Sequence, residues 1–139
     1  MIFLDTNIFM EFSDSNRPFH QDAIDMISGC LKKRINLCTS ILCVGTYCYL
    51  LENKMQLNST EIKKKLANLE TLLKIIPSSN TSLRSAYSSS FTDLEDAILY
   101  FTAVENQCDA FITQNTKDFP EPLPIPVLTP AQFLRDESN

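Results

Sequence analysis

A chain of 139 residues with 17 acidic and 12 basic side chains carries a formal charge of −5 and has a pI near 4.8. The length fits one domain, residues 1–139, whose core needs no disulfide staple, and a hydrophobic share of 44% is too high for a disordered chain. The acidic balance excludes a basic nucleic-acid-coating protein, since counterion release needs clustered Lys and Arg, but it leaves room for an enzyme that holds cations between itself and a nucleic acid.

Met1 to Leu4 is a short apolar run that stops at Asp5-Thr6-Asn7, the pattern of a buried strand ending in a polar turn. Apolar residues recur at helical spacing between Pro18 and Arg34 (Phe19, Ala23, Ile24, Met26, Ile27, Cys30, Leu31), and Lys32-Lys33-Arg34 suits the negative end of that helix. Ile35 to Cys38 predicts a second strand, and Thr39-Ser40 offers a cap for a helix running to about Lys54. That helix is apolar nearly all round, which predicts a central position. Ser59-Thr60-Glu61-Ile62 opens another helix with a stripe of Ile62, Leu66, Leu69, Leu72 and Leu73, opposite a solvated Lys63-Lys64-Lys65. Lys74 to Ile76 predicts a third strand, and a short helix is expected around Leu83 to Tyr87. Thr92-Asp93-Leu94-Glu95 reads as a capping box, with Thr92 as the cap, opening a helix that continues to about Asn106. Ala110 to Thr113 is the fourth strand. Pro120, Pro122, Pro124 and Pro126 imply an extended connection, Val127-Leu128 a last short strand, and Thr129-Pro130 the cap of a terminal helix. Alternating strands and helices predict a three-layer α/β/α sandwich around a mainly parallel sheet of four to five strands.

Several chemistries drop out on composition. With only Gly29 and Gly45 there is no phosphate-cradling glycine loop. Cys30, Cys38, Cys43, Cys48 and Cys108 are odd in number and form no C-x-x-C pair, which reads as buried free thiols in a reducing compartment. Met1-Ile2-Phe3-Leu4 meets Asp5 before a leader could form, and no apolar run approaches the roughly 18 residues of a membrane span, so a cytoplasmic location is expected. His20 has no accompanying Ser or Cys nucleophile motif and reads as a residue of a helix start. The Phe and Tyr residues fall mostly in apolar periodic stretches and read as core.

The acids carry more. In a parallel sheet, ligands meet the protein beyond the carboxyl ends of the strands. Asp5 follows the first strand there, Asn115 and Asp118 follow the fourth, and Asp93 and Asp96 stand at the start of the helix that enters the fourth strand antiparallel to it. All can therefore share one rim. Carboxylates converging without Arg or His partners repel one another, and a divalent cation removes the conflict. Hard oxygen donors and the lack of a Cys–His cluster favour Mg²⁺ or Mn²⁺ over Zn²⁺, an ion suited to activating water for phosphodiester hydrolysis.

Three stretches together resemble the PIN domain: Ile2-Phe3-Leu4-Asp5-Thr6-Asn7, Asp93-Leu94-Glu95-Asp96-Ala97, and Ile112-Thr113-Gln114-Asn115-Thr116-Lys117-Asp118-Phe119. Pro126-Val127-Leu128-Thr129-Pro130 with Phe133-Leu134 adds to the resemblance, which is strongest to small ribonucleases of the VapC toxin type. It implies a Mg²⁺- or Mn²⁺-dependent endoribonuclease, commonly a homodimer and often held inactive by an antitoxin protein. It also implies that Asp5, Asp96 and Asp118 are the catalytic acids and metal ligands. Asp93 matches an assisting metal-ligand position, Asn115 and Asn7 are auxiliary, and Thr113 lies behind the ligands. The sequence departs from the family at one place. Many active relatives carry a Glu early in the central helix, where Thr46, or alternatively Gly45, stands in Ser40-Ile41-Leu42-Cys43-Val44-Gly45-Thr46-Tyr47. A Thr hydroxyl can bond a metal-bound water but supplies no charge. Glu52 lies nearly two helical turns, or about 10 Å, farther along. A catalytically weak PIN-like module that binds RNA or protein is the alternative. A haloacid-dehalogenase-like phosphatase, suggested by Leu4-Asp5-Thr6, fits poorly, since Asn7 stands where that chemistry needs a second Asp.

Overall fold

The computed structural model describes Met1–Asn139 and contains five strands and seven helices. The strands are β1 (Ile2–Leu4), β2 (Leu37–Ser40), β3 (Lys74–Ile76), β4 (Ala110–Ile112) and β5 (Val127–Leu128). They form one sheet in the order β3-β2-β1-β4-β5, with every pairing parallel. β1, β2 and β4 are buried along their whole length, as expected for strands covered on both faces by helices, whereas Lys74 and Ile75 of the edge strand β3 are exposed. Register places Phe3 beside Phe111, and their rings stack at 5.0 Å between centroids.

The helices are α1 (Thr6–Ser13), α2 (His20–Lys32), α3 (Ile41–Asn53), α4 (Ser59–Leu72), α5 (Asn80–Tyr87), α6 (Leu94–Glu105) and α7 (Pro130–Ser138). α1 was not foreseen. Asp5-Thr6-Asn7 is not a turn: Asp5 caps a helix, its carboxylate accepting the Thr6 N–H at 2.7 Å, and Ile8, Phe9 and Met10 bury that helix in the core. The predicted central position of α3 is also corrected. Cys43, Tyr47 and Leu51 recur every four residues and face inward, while Ile41 (70% exposed), Leu42 and Tyr49 (62%) face solvent. The cap of α6 shifts by one residue from the expected Thr92 to Asp93, whose Oδ1 accepts the Asp96 N–H at 3.1 Å. α5 begins three residues earlier than expected, at Asn80.

The segment between β4 and β5 is held by Tyr100 rather than by proline stiffness alone. Its hydroxyl donates to the Ile125 carbonyl and accepts the Ile125 N–H, both at 2.9 Å. Phe119 from this segment packs on Phe91 and Phe111. Cys30, Cys38, Cys43 and Cys108 are buried free thiols, and Cys48 is half-buried. No helix is long and apolar enough to cross a membrane.

Candidate active site

The chain leaves β1 toward β2 on one side and β4 lies on the other, so the loops after β1 and β4 diverge at the switch in strand order, where open parallel sheets place their ligands. A polar knot ties these two loops together. The Asp5 N–H donates to the Ile112 carbonyl at 3.0 Å. Asp5 Oδ2 accepts from the Thr113 hydroxyl at 2.9 Å and from Asn7 Nδ2 at 3.3 Å. Asn7 also donates to Thr113 Oγ1 at 2.8 Å and accepts the Gln114 N–H at 3.1 Å. The Asn115 N–H donates to Thr113 Oγ1 at 3.2 Å. The buried Thr113 hydroxyl therefore spends its one proton on Asp5 and both lone pairs on neighbouring donors. Asp5 is only 7% exposed and fixed at both oxygens.

In front of Asp5 lies a cavity of about 470 Å³. It is built from three helix stripes spaced three or four residues apart. α1 contributes Thr6 and Met10 with Asn7, α3 contributes Thr46, Leu50 and Lys54, and α6 contributes Glu95, Asp96 and Leu99. Arg17, from the turn between α1 and α2, completes the wall. Of the residues singled out in the sequence, Asp5, Asn7, Thr46 and Asp96 line this cavity, and Thr113 stands directly behind Asp5. Asp93, Asn115 and Asp118 are exposed and do not line it. Asp93 is committed to the cap of α6, and Asp118 Oδ2 accepts Asn115 Nδ2 at 2.8 Å.

The electrostatics register the convergence of acids. Burial raises Asp5 most, against the lowering bonds from Thr113 and Thr6, and the charges of Glu95 and Asp93 raise it further. Asp96 is pushed from 3.8 to about 7 by burial first and then by the charges of Asp5, Asp93, Glu95 and Asp118. No three acidic, Cys or His side chains stand grouped tightly enough to hold a metal ion as they are. The donor set nevertheless suits a hard cation: the carboxylates converge on Asp5 and Asp96 and no Cys or His lines the cavity.

Three charged cavity residues were missed in the sequence. Glu95, expected to reach back as a cap, faces the cavity instead. Arg17 and Lys54 contradict the expectation that the acids converge without cationic neighbours. Lys54 has a signal in hindsight, since it continues the stripe of Thr46 and Leu50 at four-residue spacing. Arg17 has none. Of the α3 positions weighed for a missing acid, Thr46 lines the cavity, its hydroxyl donating to the Leu42 carbonyl at 3.1 Å, whereas Gly45 and Glu52 are exposed and outside it.

Comparison with known proteins agrees with this architecture. Ribonuclease VapC1 of Aquifex aeolicus is 29% identical over 140 residues, covering 95% of this chain and 92% of that protein. The crystal structure of VapBC2 from Rickettsia felis bound to a DNA fragment from their promoter matches with a TM-score of 0.64 and 19% identity, over 92% of this chain and 97% of the matched one. Mycobacterium tuberculosis VapC20, a Sarcin-Ricin loop cleaving toxin, matches with a TM-score of 0.61 and 13% identity, over 80% of this chain and 87% of that one. The family profile described as PIN domain matches residues 1–117. The chain belongs to the PIN domain family.

Proposed function

We propose that this protein is a Mg²⁺- or Mn²⁺-dependent endoribonuclease that hydrolyses RNA phosphodiester bonds as the toxin of a toxin–antitoxin pair. The observation that carries the reading is the convergence of Asp5 and Asp96 on one cavity at the strand-order switch, with each carboxyl raised by burial first and then by neighbouring acids. The relative named as a ribonuclease and the toxin named as cleaving the Sarcin-Ricin loop support it.

Asp5 and Asp96 would hold the cation, with Asp118 and Asp93 reaching in from the exposed rim. When bound, Mg²⁺ or Mn²⁺ supplies Lewis acidity toward phosphate and lowers the pKa of a water. Thr113, through its bond to Oδ2, holds Asp5 aimed into the cavity, and Asn7 locks Thr113 in turn. Asn115 orients Asp118. Thr46 presents a neutral hydroxyl on the α3 wall. The protein works as a single cytoplasmic domain with an antitoxin partner. It pairs with a second copy through the exposed stripe of Ile41, Gly45 and Tyr49 on α3.

The deciding experiment is cleavage of single-stranded RNA in Mg²⁺ or Mn²⁺ by the wild type and by Asp5→Asn and Asp96→Asn. Both substitutions are expected to abolish cleavage, and activity unchanged in both would sink the proposal. A second reading, a weak or inactive RNA- or protein-binding module, is favoured by the neutral Thr46 and the loose grouping of the acids. Calorimetry separates the two, because a module with no measurable Mn²⁺ affinity belongs to the second.

A further inference from the structure

The walls of the active-site cavity are unlike at their two ends. Its acids sit where helices begin: Asp5 caps α1, and Glu95 and Asp96 lie in the first turn of α6. Its cations sit where helices have ended: Lys54 is the C-cap of α3, and Arg17 follows α1 after the turn at Asp14. Along α3, Lys54 lies about 12 Å of helix rise beyond Thr46.

Arg17 is held rather than merely present. Glu11, 4% exposed in the core side of α1, accepts Arg17 Nε at Oε1 and the Phe19 N–H at Oε2, both at 3.0 Å. The Arg17 N–H donates to the Asp14 carbonyl at 3.1 Å, so backbone and side chain are both anchored. With Nε occupied, the two Nη groups remain as a planar fork on a half-exposed side chain that lines the cavity. Neither Arg17 nor Lys54 forms an ion pair with Asp5, Glu95 or Asp96, so neutralising those acids is not their role. Three carboxylates and two cations line the cavity, and one divalent cation at the acids turns that balance positive.

We propose that Arg17 and Lys54 form a phosphate-binding subsite that grips the RNA backbone beside the bond to be cut, with Glu11 as the buried residue that aims Arg17. This rests on the endoribonuclease reading for the identity of the polyanion, and it explains how a chain of charge −5 holds RNA: by two cations inside the cavity rather than by a basic surface.

The test is fluorescence anisotropy with a labelled single-stranded RNA oligonucleotide in Ca²⁺, across a series of KCl concentrations, alongside cleavage kinetics in Mn²⁺. Lys54→Gln and Arg17→Gln are each expected to weaken RNA binding about tenfold. Each should also flatten the dependence of log affinity on log salt by about 0.7, the value of one lost phosphate contact on a single strand. Mn²⁺ affinity by calorimetry should stay equal or rise. Arg17→Lys, which keeps the charge facing Glu11, guards against a folding defect in Arg17→Gln, and Lys54 is exposed and free of side-chain partners, so Lys54→Gln decides by itself. Wild-type affinity and salt slope in Lys54→Gln would overturn the subsite, as would a wild type that binds no RNA but takes an acidic peptide at these residues. RNA binding that depends on both cations without any cleavage leaves the subsite standing and removes the nuclease reading. Cleavage with wild-type KM in both variants does the reverse.

Discussion

A carboxyl at position 96 has an ordinary pKa of 3.8 and is raised to about 7 in the folded chain, so between those values the folded state keeps a proton that the unfolded state has released. Where the folded state binds more protons, the free energy of unfolding falls as pH rises, and Asp5, also raised, acts in the same direction. In EDTA the protein is therefore expected to resist urea better at pH 5 than at pH 8. Asp96→Asn should remove much of that difference, and a difference as large as in the wild type would contradict the assignment. Adding Mn²⁺ at pH 8 should restore stability by binding the folded state only. Thr113 offers a second test. Thr113→Val keeps the volume but removes the hydroxyl bonded to Asp5, Asn7 and Asn115. Urea denaturation should show a loss of about 1–3 kcal/mol, the range for stranding buried polar partners.

Among the elements, α3 is where a gain can be engineered. Thr46 lines the cavity and bonds only to its own helix, at the Leu42 carbonyl. Thr46→Glu should place a fourth carboxylate on the wall beside Asp5, Glu95 and Asp96. Calorimetry should show Mn²⁺ affinity rising by about tenfold, or roughly 1.4 kcal/mol, while the metal-free variant loses stability at pH 8 through added repulsion. Unchanged affinity would place Thr46 out of reach of the ion. The elements also mark what the sequence could disclose. β1 and β4 were legible because strands buried on both faces read as short apolar runs, whereas β2 starts and ends two residues later than expected, its second half being the polar Thr39-Ser40 that reads as a cap. α1 was not, because Asp5-Thr6-Asn7 has turn chemistry, and the same Asp chemistry caps a helix. α3 was seen as a helix but misplaced, since apolar content all round does not say which stripe meets the sheet. Asp5 and Asp96 could be named from spacing and family motif, whereas Glu95 reads as a cap until the packing of α6 is known. Arg17 could not, and Lys54 shows only as a continuation of the Thr46 and Leu50 stripe, because their approach to Asp5 depends on how α1, α3 and α6 pack.

For the molecule as a whole, the exposed Ile41 and Tyr49 share a stripe with Gly45, a small residue that lets another helix come close. Sedimentation at increasing concentration should reveal a dimer that Tyr49→Asp dissociates; a monomer at every concentration would refute self-pairing through α3. The parallel topology has an effect in time as well as in space. β1 is made before the other four strands, yet its place is the middle of the sheet, between β2 and β4, and the Asp5 N–H bonds to the Ile112 carbonyl. Asp5 and Thr113 stand 108 positions apart in the chain. A ribosome-bound fragment that ends before β4 has neither the second strand that flanks β1 nor the hydroxyl that aims Asp5. With this topology the acids of the site cannot be set until β4 has been made, so the proposed cleavage stays silent while the strands before it are synthesised.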